Sequence, residues 1–201
     1  MNILKKLSIL LFSLLFISCA GGDDRETDSS NPYIDEFSAQ GFIQARQLVS
    51  LSDITDGDTY VFNEELRCRL YAVDTPESIL STKLSYDAIT CNTSESDMQL
   101  AGIYSTGFVM DNLLKEGDTY AVSRLEGETY GRAICIVYPF DSNVSINESL
   151  VKEGYGFLWE KYLEGNKIDN NLIKFEQEAK DNKRGLWSID ENISNCFFDK
   201  K

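Results

Sequence analysis

From residue 42 onward, apolar and polar positions alternate with a short period, and turn residues cut the alternation into pieces. A mixed strand pattern runs from Phe42 to Ile54, then the turn Asp56-Gly57-Asp58, then a second short strand from Thr59 to Phe62. Asn63 and Glu64 make the next turn, and Leu66 to Val73, enriched in β-branched and aromatic types, reads as a third strand. Pro76 has no N–H to give to a ladder, so this strand stops at Asp74. The polar stretch from Ser78 to Ser96 reads as a long loop. Beyond it Met98, Ala101, Tyr104, Phe108, Leu113 and Leu114 recur near helical spacing until Gly117. Two more strands follow, Thr119 to Leu125 and Arg132 to Tyr138, joined by a turn containing Gly127 and Gly131. Asn143 can cap a short helix through Glu153, closed by Gly154. A last helix from about Asn170 to Asn182 carries Leu172, Phe175 and Ala179 on one face and ends at Gly185.

Five strands interrupted by a helix after the third predict an α+β fold. The arrangement that suits them is a small closed five-stranded β-barrel with about three helices outside it, the OB-fold arrangement. The 201 residues are enough for one domain with a real core.

The N-terminus departs from this alternation. Lys5 and Lys6 precede an apolar stretch from Leu7 to Ile17 that is too short to span a bilayer, which is the pattern of a secretory signal. It ends in Ser18, Cys19, Ala20 and two glycines, which resembles the lipobox of bacterial lipoproteins, where the cysteine becomes the lipidated first residue. Plain signal cleavage near Cys19 is the alternative. Residues 20–40 are polar, acidic and rich in Gly and Ser, and cannot bury enough apolar area to order themselves. The expected organisation is therefore a signal peptide over 1–19, a tether over 20–40, a domain over 41–190 and a C-terminal tail over 191–201. The expected location is outside the cytoplasm, on the membrane of a bacterial envelope through a lipid on Cys19. With Cys19 set aside, Cys68, Cys91, Cys135 and Cys196 remain, and an oxidising compartment permits disulfides in any of three connectivities. Free core thiols are the competing reading for Cys68 and Cys135, which sit in apolar strand-like stretches.

The chain contains no histidine. That excludes every mechanism needing an imidazole base, nucleophile or metal ligand, and leaves carboxylates, arginines and an oxygen-ligated metal. Carboxylates do flank turns: Asp56 and Asp58 in DGDT, Asp74 and Glu77 in VDTPE. Either motif alone is a common turn. They gain meaning together with Arg69, five residues before Asp74, and with YGRA at Tyr130 to Ala133. Alternation along the third strand places Arg69 on the opposite face from Cys68 and Leu70, facing solvent.

With these motifs in this order the chain resembles the thermonuclease, or staphylococcal-nuclease-like, family. The resemblance rests on DGDT at 56–59, RLYAVDTPE at 69–77, YGRA at 130–133, NESLVKEG at 147–154 and EAKDNKRGLW at 178–187. It implies an OB-fold barrel bearing a Ca²⁺-dependent phosphodiesterase site for DNA or RNA. Asp58 and Asp74 would be carboxylate ligands of the metal and the main-chain oxygen of Thr75 a third. Glu77 would orient or deprotonate the attacking water, Arg69 and Arg132 would grip the phosphate, and Asp56 would support the metal site from behind. Tyr130, Lys83 and Tyr162 would contact substrate. Against this stands the charge: 33 acidic and 19 basic residues, net −14, repel a polyanion. A non-catalytic OB-fold module binding nucleic acid or protein at the envelope is the runner-up, and a structural envelope lipoprotein is third.

Overall fold

Turn chemistry decides where the chain reverses. The computed structural model describes residues 46–159 and 170–200. In it, β1 (Gln47–Asp56) and β2 (Thr59–Phe62) pair antiparallel with Asp56 opposite Thr59, leaving Gly57 and Asp58 to make the turn. Gly57 is under a second constraint, because a Cβ there would stand 2.9 Å from Thr75 Oγ1 and 3.1 Å from Ser105 Cβ. Its bareness lets the DGDT turn dock on DTPE. Asn63 and Glu64, at φ 48° and 65°, reverse the chain into β3 (Leu66–Leu70), as predicted.

The third strand is shorter than expected. Ala72 at φ 60° breaks the ladder, and β4 (Val73–Asp74) leaves the barrel to pair with β7 (Phe157–Leu158). A fully buried amide makes this corner: Asn147 Nδ2 donates to the carbonyls of Tyr71 at 2.9 Å and Cys135 at 3.3 Å, and its Oδ1 accepts from Val137 N at 3.2 Å. β5 (Thr119–Thr129) and β6 (Arg132–Pro139) form a hairpin turned by Tyr130 and Gly131 at φ 51° and 72°. β6 runs parallel to β3 and β5 antiparallel to β1, which closes a five-stranded barrel in the order β1-β2-β3-β6-β5. This is the α+β, OB-fold architecture read from the alternation.

The helical layer is richer than the pattern predicted. The expected loop from Ser78 to Ser96 contains α1 (Thr82–Thr90), capped by Ser81 Oγ accepting from Leu84 N at 3.1 Å. Its pattern hides it: apolar Tyr86 and Ile89 are 67% and 81% exposed, while Asp87 is buried. α2 (Glu95–Phe108) continues as a π-helical turn over Val109–Leu113. Ser145, not Asn143, caps α3 (Ile146–Lys152), its Oγ accepting from Glu148 N at 3.0 Å. After α4 (Asn170–Asp181) and α5 (Leu186–Ile189), the segment expected to be a tail forms α6 (Glu191–Asp199) and buries Ile193 and Phe197.

Two cores result. One fills the barrel around Tyr60, Phe62, Leu70, Ile136 and Tyr138; the other, around Leu84, Met98, Phe157, Leu186 and Trp187, lies under α1, α2, α5 and α6. The cysteines divide the same way, Cys68 with Cys135 in the barrel and Cys91 with Cys196 between the end of α1 and α6.

Candidate active site at the barrel rim

The predicted acids meet where the DGDT turn docks on the end of β4. Asp58, 1% exposed, accepts four contacts. Its Oδ2 takes Thr75 N at 2.8 Å and Thr75 Oγ1 at 3.0 Å; its Oδ1 takes Thr59 Oγ1 at 3.0 Å and pairs with Arg69 Nη1. Arg69 Nη2 reaches Asp74 Oδ1 at 2.6 Å, so one guanidinium bridges both carboxylates. Arg69 is 5% exposed, which corrects the expectation that it faces solvent. The alternation is real, since Cys68 and Leu70 fill the barrel, but DGDT and β4 cover the other face of β3. Arg132, half-buried at the start of β6, donates through Nη1 to Thr59 Oγ1 at 3.2 Å and through Nε to Thr129 O at 3.3 Å. Both guanidiniums thus converge on Asp58, one directly and one through Thr59.

Glu77 sits on the segment after Pro76, whose backbone is pressed against α2. A Cβ on Gly102 would come within 2.2 Å of the Glu77 carbonyl oxygen, so only glycine there allows the approach. Lys83, on the first turn of α1, projects into the acids. Its Nζ stands 3.4 Å from Asp74 Oδ1, 3.5 Å from Thr75 O, 3.0 Å from Glu77 Oε1 and 3.2 Å from Asp87 Oδ2. Asp87 also pairs with Lys200 Nζ at 2.5 Å.

Protonation follows from this layout. Burial pushes the Asp74 carboxyl up, but Lys83 and Arg69 together outweigh it and hold Asp74 below the usual carboxylate range. Burial pushes Lys83 down, and Asp74, Glu77 and Asp87 reverse that and raise it. Asp56, whose Oδ1 accepts from Asp58 N at 3.1 Å, is raised, because burial exceeds the pull of Arg69 and Thr59. Arg132 is lowered by burial first and by Arg69 second.

The structure brings together Asp56, Asp58, Arg69, Asp74, Thr75, Glu77, Lys83 and Arg132. It does not bring Tyr130, which is 97% exposed at the tip of the β5–β6 turn. Tyr162 and Cys19 lie outside the described residues. Sequence reasoning missed Asp87 and Lys200, which belong to none of the motifs.

A family model described as staphylococcal nuclease homologue matches residues 67–189, which hold β3, the acids after it and Arg132. The chain belongs to the staphylococcal nuclease homologue family. Among relatives of this nuclease homologue, an uncharacterized protein of Methanocaldococcus jannaschii is 29% identical over 92% of this chain and 95% of its own. An uncharacterized protein of Bacillus anthracis is 24% identical over 92% and 90%. An uncharacterized endonuclease of Escherichia coli O157:H7 is 29% identical over 67% and 73%. The match begins at Arg67, so DGDT lies before it, and it ends at Ile189, one residue before the cap of α6.

The donor set at the rim suits a hard cation, since it is all oxygen. Four of these oxygens already gather around one positive charge, the Lys83 ammonium, so the cradle fits a cation. Among the described residues, no three acidic or cysteine side chains stand at metal-ligand spacing.

Proposed function

We propose that this nuclease homologue is an exported hydrolase that cuts phosphodiester bonds of DNA, RNA or both, with Ca²⁺ as its metal. The observation that carries the reading is the convergence of Asp58, Asp74, Thr75, Glu77 and Arg132 on one rim of the barrel, largely inside the family match. Relatives named as endonucleases support the reaction class.

Asp58, Asp74 and the Thr75 carbonyl are the groups that would hold Ca²⁺. Bound there, it would neutralise phosphate charge and acidify a nearby water. Everything else falls to the chain. Glu77, on its pinned segment, would orient the attacking water and accept its proton. The water oxygen bonds to phosphorus in line, the bond to the 5′-oxygen breaks, and that oxygen leaves with the electron pair. Of the two arginines expected to grip the phosphate, Arg69 is spent on two carboxylates, and Arg132, whose hydrogen bonds go to Thr59 and Thr129 and to no carboxylate among the described residues, is the one that would pair with it. Arg69 would hold Asp58 and Asp74 at fixed separation. The net charge of −14 opposes a polyanion, and divalent cations relieve that opposition.

The test is incubation of the full-length chain with single-stranded DNA and RNA, with calcium or with a chelator. Cleavage that needs calcium and falls by about 100-fold or more in Glu77→Gln is expected. Intact substrate at millimolar calcium would overturn the hydrolase. Binding without cleavage would support the non-catalytic module, a reading favoured by the ion pairs that saturate the acids.

Membrane attachment is proposed from the Lys5–Cys19 pattern alone. Labelled palmitate should enter the wild type and not Cys19→Ala; equal labelling would remove the anchor.

A further inference from the structure

Four of the carboxylates gathered at the rim have a cation from the chain. Asp58 and Asp74 share Arg69, Asp74 and Glu77 share Lys83, and Asp87 takes both Lys83 and Lys200. A divalent ion entering so fully paired a cluster gains its full attraction only by displacing one of these charges.

The three cations differ in how they can leave. Arg69 is 5% exposed and bonded through both terminal nitrogens, so its departure would orphan two carboxylates. Lys200 touches Asp87 and none of the other acids named here. Lys83 touches the main-chain oxygen of Thr75 and three carboxylates, yet its side chain is 42% exposed on a four-carbon stem. It can swing into water, and Asp87 then keeps Lys200 at 2.5 Å.

We propose that the Lys83 ammonium is a tethered counter-ion seated on two of the three groups that would hold the divalent cation, Asp74 and the Thr75 carbonyl, and that its departure sets the calcium concentration the site requires. This rests on the nuclease reading above and extends it, since the family resemblance implies only substrate contact for Lys83. The device is a competition within one chain. Calcium binds only the fraction of molecules whose ammonium has left, so apparent affinity falls by that fraction. Each cation bound sends the lysine outward into water.

Isothermal titration of Ca²⁺ into the full-length chain tests the proposal without reference to turnover. Lys83→Met and Lys83→Gln should bind calcium about tenfold more tightly than wild type, as expected if the seat is free about a tenth of the time. Lys200→Met removes the same unit charge without touching Asp74, Thr75 or Glu77, and should stay within about twofold. Melting curves establish that each variant is folded, and the two Lys83 variants guard against one failing to fold. Equal affinity in wild type and both Lys83 variants overturns the counter-ion role, as does weaker binding, while leaving the hydrolase intact if wild type still cleaves. An equal gain in Lys200→Met overturns the seat in favour of general charge. No calcium binding in any chain overturns both the seat and the metal assignment.

Discussion

The barrel and the helical layer each carry one disulfide, and the two do different jobs. Cys68–Cys135 joins β3 to β6, strands already paired along a ladder in which Leu70 faces Cys135. Cys91–Cys196 joins α1 to a helix 105 residues away that lies beyond the family match. The rim divides in the same way. Asp58, Arg69 and Arg132 ride on barrel strands and their turns and Asp74 on the short β4 that follows β3, whereas Lys83, Asp87 and Lys200 come from α1 and the end of α6. The difference teaches that the barrel supplies the buried cation shared by Asp58 and Asp74, while the helical layer supplies the more exposed cations, Lys83 and Lys200, and the acid Asp87 between them.

The sharpest way to break that division is to remove one cation from each side. Arg69→Met leaves Asp58 and Asp74 buried without their shared partner and should cost about 3–5 kcal/mol in denaturant unfolding. Lys200→Met removes a charge from a side chain that is 24% exposed, and Asp87 retains Lys83, so it should cost about 1 kcal/mol or less. Equal costs would mean that the acids do not depend on the barrel for their neutralisation.

The disulfides sharpen the comparison further. Removing either should cost about 2–4 kcal/mol, because the loops they close are both long. What separates them is where the loosening shows in amide exchange. In Cys91→Ala/Cys196→Ala the amides of 191–199 should exchange rapidly while β3 and β6 stay protected. In Cys68→Ala/Cys135→Ala protection should fall across the whole barrel, with no segment released first. Selective loss of β3 in the second variant would show that the ladder does not hold without the bond.

The same division marks how far the sequence could be read. Barrel strands are bounded by Gly, Asn and Asp at positions where the backbone turns, such as Asn63 and Gly131, and their period of two survives in the text of the chain. The rim acids were legible because DGDT and DTPE are local motifs. Arg69 was placed on the correct face of its strand and the wrong side of the solvent boundary, since a pattern within one strand cannot show what another segment lays over it. α1 is hard to read because its outward face carries Tyr86 and Ile89 and its inward face carries Asp87 beside Leu84 and Ala88, which blurs the usual amphipathic code. Asp87 and Lys200 are 113 residues apart, and no spacing rule connects them.

The smallest expected effect separates two rim acids whose carboxyls are shifted in opposite directions. Asp56 is raised by burial, so its ionisation is harder in the folded chain than in the unfolded one. Its contribution to stability is fully present below the unfolded carboxyl range and is lost as pH rises through the folded value. At neutral pH the charged form is a liability. Asp56→Asn keeps an oxygen for the Asp58 N–H and should raise Tm by roughly 1–2 °C at pH 7, with no gain near pH 3.5. Asp74 is lowered, because Lys83 and Arg69 outweigh its burial. Its contribution is present above the unfolded carboxyl range and is lost as pH falls through the folded value, so Asp74→Asn should lower Tm at pH 7 and approach wild type in acid. Melting curves of both variants between pH 3 and pH 7 decide the matter. Differences from wild type that keep one size at every pH would show that shape, not charge, governs these positions, and the electrostatic account of the rim would fail at its two most telling acids.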